Sequence, residues 1–260
     1  LFSLWEMGCG VSLINEIMTL LYHFYKYGDY STIPTMLDNL KGVFESSKSL
    51  YSKICSCRLA GKIFEEFWKQ TINPPTAELV QSLIKMYKNS TEWYTRETAI
   101  DTLSWMLRTK CQNLDTATND IYKLIFKGLN DKAKDLRLSS TRALLHFVQA
   151  VDLLQELQAN NFQNIISTCW KGFSDVDEKI RCTNAEIMKE ILCLKIKQNM
   201  SKYKPNTEGK VPSSKKKLLE SLPNDLIEAV QYLANNVYWK NTSTNYERKC
   251  VVECIYFIIH

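Results

Sequence analysis

Residues 128–137, with the sequence GLNDKAKDLR, are repeated 44 residues later as residues 172–181, with the sequence GFSDVDEKIR. Both copies begin with Gly, carry Asp at the fourth position, and end with an aliphatic residue followed by Arg. A repeat period of about 20 to 50 residues is typical of stacked structural repeats. Because each copy opens an amphipathic helical pattern, the sequence predicts an all-α fold of the α-solenoid type.

The two helical patterns agree beyond their first turn. Residues four, seven and eleven positions after Leu136 are Ser140, Ala143 and Phe147, and those after Ile180 are Asn184, Ile187 and Ile191. This spacing places them on one face of a helix. Similar patterns predict helices at about 11–27, 31–47, 50–72, 76–88, 91–109, 115–129, 132–150, 160–172, 176–198, 217–236 and 243–258.

The repeated segment resembles the HEAT repeat, in which an Asp lies in the turn between two helices and an Arg lies near the start of the second. The resemblance implies a HEAT or armadillo-like solenoid in which Asp and Arg side chains of adjacent repeats form a ladder of hydrogen bonds. The matching ladder positions are Asp131, Arg137, Asp175 and Arg181. Weaker matches place Arg at 58, 96 and 248 and bring the prediction to about five helix pairs.

Composition agrees with a helical chain divided into three segments. The 260 residues include only 8 Gly and 6 Pro, and no run alternates in the manner of a β-strand. We predict HEAT-like repeats over 1–200, a flexible Lys-rich loop over 201–217, and a terminal helix pair of the same solenoid over 218–260. The apolar helix faces at both ends lead us to expect further repeats or capping elements beyond them.

The net charge of +5 arises from one segment. Residues 202–217 contain six Lys and one Glu, so the remainder of the chain is balanced. Two Pro and several Ser, Thr and Asn are typical of a solvated loop. Its Lys215, Lys216 and Lys217 are candidate partner-binding residues, and the pattern leaves open a linker, a contact with an acidic partner or RNA, and a nuclear import signal.

Nothing in the sequence predicts catalysis, a cofactor or a metal site. The three His are isolated, and no phosphate-binding Gly-rich loop or nucleophile motif is present. The nine Cys form no zinc-binding pattern, and Cys57, Cys169, Cys182 and Cys193 fall at helix-face positions where a free thiol packs as a small apolar group. We therefore predict a non-enzymatic protein of a reducing compartment.

Two aromatic residues stand apart from the helical patterns. Tyr238 and Trp239 lie in a polar stretch between the last two predicted helices. Aromatic side chains dominate the energetics of many protein interfaces. Both are candidates for contacting a partner.

A second resemblance covers residues 90–255. Residues 90–97, the segments that begin at Asp131 and Phe173, and the segment 221–226 occur in the order found in HEAT-repeat proteins of the family of the breast-cancer-susceptibility-protein-associated ATM activator. The resemblance implies a scaffold of cytoplasm and nucleus that binds the Integrator RNA endonuclease subunit and its partner. The family's C-terminal tail is thought to reach the endonuclease active site. Residues 258–260, Ile-Ile-His, depart from that tail, so we do not expect this role of the segment in hand.

The predicted function is therefore a non-enzymatic scaffold or adaptor that binds a protein partner, with the Integrator endonuclease as the candidate that the resemblance implies. The alternative is a nucleic-acid-associated solenoid of the chromosome or RNA-processing type that uses the Lys-rich loop. A regulatory solenoid piece of a large kinase also fits. The balanced charge of the helices favours a protein partner over nucleic acid.

Overall fold

The computed structural model describes residues 10–25, 30–47, 49–67, 76–108, 117–150 and 159–202, together with residues 248 and 252. These residues form an all-α fold, with no β-strand among them. The chain divides into two compact units, Leu1–Asp152 and Leu153–His260.

The described residues of the first unit form seven helices. They are α1 (Gly10–Tyr25), α2 (Ile33–Ser46), α3 (Leu50–Phe67), α4 (Thr76–Asn89), α5 (Trp93–Arg108), α6 (Thr118–Leu129) and α7 (Lys134–Ala150). The second unit contains α8 (Ala159–Gly172) and α9 (Glu178–Lys202), which pack against each other.

The first unit is built in the manner of helical repeats. Each of α2, α4 and α6 packs against the helix that follows it, which gives the pairs α2/α3, α4/α5 and α6/α7. The first helices of these pairs, α2, α4 and α6, contact one another in that order. The second helices, α3, α5 and α7, form another row, and α1 lies at the start of this row beside α3. Two rows of helices therefore lie side by side, and the core lies between them.

The sequence explains why the two rows differ. In α2 the buried residues Ile33, Leu37, Leu40 and Phe44 recur every three or four positions, so one stripe faces the core. The second helices α3 and α5 are buried on more sides, because each packs against its first helix and against both neighbours in its row. Their buried positions consequently include small polar residues such as Ser104 and Thr102 in α5.

All nine helices predicted between residues 11 and 198 are confirmed, with ends within five residues of the predicted ones. The predicted helices at 217–236 and 243–258 lie outside the described residues, apart from residues 248 and 252, which are helical. The helix α9 continues to Lys202, so the first two residues of the predicted 201–217 loop are helical. The remainder of that loop lies outside the described residues.

The same turn joins the helices of all four pairs. At its start, a side-chain oxygen of Ser47, Ser90, Asp131 or Asp175 accepts a hydrogen bond from the backbone N–H two residues later, over 2.9–3.1 Å. Six residues after each of these positions, the fourth residue of the second helix donates its backbone N–H to the carbonyl that precedes the helix. These fourth residues are Lys53, Arg96, Arg137 and Arg181.

The turn corrects the placement of Arg58 among the weaker repeat matches. Arg58 is the ninth residue of α3, so the position equivalent to Arg96 is Lys53 and not Arg58. Asp131 and Asp175 lie in the turns before α7 and α9 and are not the N-caps of these helices. In α9 the N-cap is Asp177, whose Oδ1 accepts hydrogen bonds from the N–H groups of Lys179 and Ile180 at 2.9 and 3.3 Å.

The Gly that opens each copy of the repeated segment allows close helix packing. A Cβ atom on Gly128 would lie 3.0 Å from the Cβ of Ser140 and would overlap its hydroxyl. A Cβ atom on Gly172 would overlap the amide of Asn184. In both pairs, the first helix thus approaches the second at a residue without a side chain.

Candidate partner-binding surface

An ion pair that involves Asp131, one of the predicted ladder residues, lies between the pairs α4/α5 and α6/α7, and we call this ion pair a rung. Nη1 of Arg96 lies 3.1 Å from Oδ2 of Asp131, and both side chains are about five-sixths buried, with 16% and 17% exposed. Tyr87 is buried beside this ion pair, and burial raises the pKa of its hydroxyl. The ion pair therefore joins consecutive repeats through partners that water reaches poorly.

The other ladder residues also stabilise their own turns. Arg137 donates from Nη1 to the carbonyl oxygens of Asp131 and Lys132 at 3.2 and 3.0 Å. Arg181 repeats this geometry with Asp175 and Val176 at 2.8 and 2.9 Å. These hydrogen bonds to turn carbonyls hold the loop close to the start of the second helix.

A polar surface crosses the row of second helices in the first unit. We call it the second-helix face, and its residues are spaced three or four positions apart on each helix. They are Arg58, Lys62 and Glu65 of α3, Glu97, Asp101 and Trp105 of α5, and Arg142 and His146 of α7.

Ion pairs across this face connect neighbouring helices. Glu97 accepts a hydrogen bond from Ser139 at 2.9 Å and lies 3.9 Å from Nη2 of Arg58. Asp101 lies 3.5 Å from Nη1 of Arg142. Carboxylates of α5 thereby contact residues of both α3 and α7.

The two carboxylates of α5 are partly removed from water, whereas the cations at their sides are more exposed. Burial raises the pKa of Glu97, opposed by the hydrogen bond from Ser139, and raises that of Asp101, opposed by the charge of Arg142. A desolvated carboxylate gains more from an additional cation than a solvated one does. The centre of the face is therefore suited to a cationic group of a partner.

An aromatic cluster lies at one end of the face. The rings of Trp105 and His146 are 5.1 Å apart, and the guanidinium of Arg108 lies 5.5 Å from the centre of the Trp105 ring. Nδ1 of His146 is 2.9 Å from the carbonyl oxygen of Ser104 and 2.8 Å from its hydroxyl. Since a carbonyl oxygen only accepts, Nδ1 carries the proton in this contact. Trp and Arg are the residue types enriched at interface hot spots.

Comparison with known proteins adds information about the fold alone. No family model and no curated protein matches the chain. The structure is similar to that of an engineered protein determined by the Northeast Structural Genomics Consortium, with a TM-score of 0.53 and 15% sequence identity over 89% of this chain and 84% of the other.

Several predicted site residues lie outside the described residues. They are Tyr238, Trp239, Lys215, Lys216 and Lys217, and their part in partner binding stays a prediction. The second-helix face was missed in the sequence, although the charges at Glu97, Asp101, Arg58 and Lys62 follow a four-residue spacing that could have indicated it.

The buried thiols behave as the sequence predicted. Cys57 and Cys169 are fully buried and free, and burial raises the pKa of Cys57 to about 12 and raises that of Cys169 as well. Cys182 is free and half-buried, while the side chain of Cys193 lies outside the described set. Across the described ranges, no group of three or more His, Cys, Asp or Glu is arranged to hold a metal ion. No described helix is both long and apolar enough to cross a membrane.

We expect His146 to make stability depend on pH. Burial lowers its pKa below the ordinary value of 6.5. As the pH falls below about 6.5, the unfolded chain therefore binds a proton that the folded chain does not, and stability decreases. The His146→Asn variant, which retains an N–H donor, should lose this contribution, at most about 1.4 kcal/mol per pH unit.

The measurement is urea unfolding of both proteins at pH 8, 7, 6 and 5. The difference in unfolding free energy between the original protein and His146→Asn should shrink steadily below pH 6.5. A difference that stays constant across this range would contradict the assignment of a neutral, buried His146.

Proposed function

We propose that this protein is a non-enzymatic scaffold that binds a protein partner on the second-helix face. The observation that carries the proposal is the arrangement of this face: partly desolvated carboxylates of α5 lie between more exposed cations of α3 and α7, beside an exposed Arg and a Trp. Three neighbouring helices, α3, α5 and α7, bring these groups together on one face. Such an arrangement supports binding without any catalytic group.

The mixed charge of the face favours a protein over a nucleic acid. Arg58, Lys62 and Arg142, with Arg108 at the end of the face, stand against Glu65, Glu97 and Asp101, so the charges nearly balance and leave one positive charge in excess. A phosphate backbone is bound by an excess of Lys and Arg, whose affinity falls steeply with salt. A protein partner with complementary charges of both signs suits a balanced face better.

The Integrator RNA endonuclease subunit is the partner that we propose to test first, with assembly or regulation of that enzyme as the scaffold's role in nucleus and cytoplasm. The support for this choice is the resemblance of residues 90–255 to a HEAT-repeat family that binds it. The segment after Lys202 supplies the competing proposal, in which its lysines hold RNA or chromatin components.

The test is affinity capture from cell extract with three versions of the chain, followed by mass spectrometry at 100 and 400 mM salt. The first is unchanged. The second removes two cations from the second-helix face, Arg58→Ala and Arg142→Ala. The third is the matched control, Lys123→Ala and Lys127→Ala, which removes the same charge from exposed positions of α6. Circular dichroism and thermal unfolding establish that all three are folded.

We expect a partner retained at 400 mM salt by the unchanged chain and the α6 control, and reduced at least about tenfold by the change on the second-helix face. Recovery of Integrator endonuclease subunits would support the named partner. Capture of RNA-binding or chromatin proteins that disappears at 400 mM salt, and that is lost when Lys215, Lys216 and Lys217 are replaced by Ala, would overturn the proposal in favour of the nucleic-acid function.

A further inference from the structure

We propose that a cavity between the repeats α2/α3 and α4/α5 binds a carboxylate, at the position that the Asp131 side chain occupies one repeat later. The cavity has a volume of about 510 Å³ and is lined by residues of all four helices and of the turn before α5. None of its lining residues belongs to the second-helix face. The inference is therefore independent of the function proposed above.

The equivalence of the turns shows what this cavity lacks. Residues 53, 96, 137 and 181 occupy the same turn position in successive repeats, as do residues 47, 90, 131 and 175. The pair Arg96–Asp131 lies between the repeats α4/α5 and α6/α7. At the equivalent place between the repeats α2/α3 and α4/α5, the residues are Lys53 and Ser90. The cation of the rung is present in both places, but the carboxylate is present in only one.

A third substitution accompanies the missing carboxylate. Tyr87, beside the Arg96–Asp131 pair, is equivalent to Phe44, 43 residues earlier. The Tyr, Arg and Asp of one interface are thus Phe, Lys and Ser in the other. All three of these replacement residues line the cavity.

The charges around the cavity favour an anion. Lys53 and Lys85 line it, and within the described part of the chain neither has an ion-pair partner. One carboxylate, that of Glu45, also lines it and accepts a hydrogen bond from Ser82. The lining side chains therefore leave an excess of one positive charge.

A buried hydroxyl provides an independent sign of incomplete pairing. Thr95 lines the cavity with 2% of its surface exposed, and among the described residues its Oγ1 has no hydrogen-bond partner. Its equivalent one repeat later is the fully buried, aliphatic Leu136. A buried hydroxyl without a partner is unfavourable, whereas beside a bound anion it becomes a hydrogen-bond donor.

The remaining wall defines the rest of the ligand. Phe44, Leu50 and Met86 are apolar and line the same cavity. A ligand that contacts both the cationic part and the apolar part of the cavity wall has a carboxylate attached to an apolar group. Such chemistry is found in a free organic acid and in an acidic residue that follows an apolar one in a partner's chain.

The first experiment measures binding of matched probes by NMR titration. The probes are 3-phenylpropionate and its uncharged amide, followed by a capped phenylalanyl-aspartate dipeptide and its asparagine counterpart. Each carboxylate should bind at least about tenfold more tightly than its amide, with shifts centred on Lys53 and Ser90. Lys53→Met should weaken the carboxylates about tenfold and leave the amides unchanged. Binding of the dipeptide would indicate a partner's side chain, and binding of 3-phenylpropionate alone a free acid.

The second experiment needs no ligand, because Ser90→Asp places a carboxylate where the ladder has one. We expect this variant to melt about 2–4 °C above the matched Ser90→Asn variant and to bind none of the acids. In the Lys53→Met background this advantage should disappear. Equal binding of acids and amides, no binding of either, or an advantage of Ser90→Asp that persists without Lys53 would overturn the proposal.

Discussion

Replacement of Gly128 with Ala is expected to lower the free energy of unfolding by about 2–3 kcal/mol, because the new methyl group would overpack the contact between α6 and α7. Its Cβ would lie 3.0 Å from the Cβ of Ser140 and 3.4 Å from the hydroxyl of Tyr87. Rotation of the Ser140 hydroxyl cannot relieve the first contact. Urea or thermal unfolding measures the change.

The matched control is the same substitution at Gly42, in the interior of α2. No atom lies within 4 Å of a Cβ at this position. Since Ala favours a helix over Gly, Gly42→Ala should raise stability by about 0.5–1 kcal/mol. Opposite signs for the two variants are the expected result. A loss at Gly128 below about 0.5 kcal/mol would contradict the close approach of α6 to α7.

The second large effect is expected for Asp131→Asn, which should lower the free energy of unfolding by about 2 kcal/mol. Asn can still accept the hydrogen bond from the N–H of Ala133, so the turn is preserved. The charge that pairs with Arg96 is lost, and the guanidinium stays about five-sixths buried without its carboxylate. The loss of unfolding free energy should fall between the losses typical of breaking exposed and fully buried ion pairs.

Asp120→Asn is the control for burial. Asp120 pairs with Lys88 over the same 3.1 Å, but the two side chains are 42% and 51% exposed. Removing this charge should change stability by about 0.5 kcal/mol or less. Equal effects of the two substitutions would show that the Arg96–Asp131 pair does not hold the repeats together.

The sequence predicted the helices well because each first helix has a regular apolar stripe. Leu37 and Leu40 of α2 illustrate a spacing that only a helix satisfies. The repeat at Asp131 and Asp175 was also recognisable, since both copies use Asp and Arg at the same separation. Ser47 and Ser90 make the same turn with a shorter polar side chain, so the second copy was matched only weakly, through Arg96, and the first was placed at Arg58 instead of Lys53.

The site was less predictable, because the face depends on which helices become neighbours. Arg58 was aligned with the ladder position from its letter, whereas the structure places Lys53 there and brings Arg58 toward Glu97. Such pairs lie about 40 residues apart in the sequence, and no local pattern identifies them. The cavity at Lys53 was not predicted, because it is recognised by the lack of a carboxylate that the next repeat has. That difference becomes visible only after the repeats are aligned in space.

A protein partner on the second-helix face should be joined to that face by lysine-directed cross-linking of the captured complex. Lys62 on α3 belongs to the face, whereas Lys123 and Lys127 are exposed on α6. We expect partner cross-links at Lys62 that are at least several-fold more abundant than those at the two α6 lysines. Partner cross-links confined to α6, or to Lys215, Lys216 and Lys217, would contradict it.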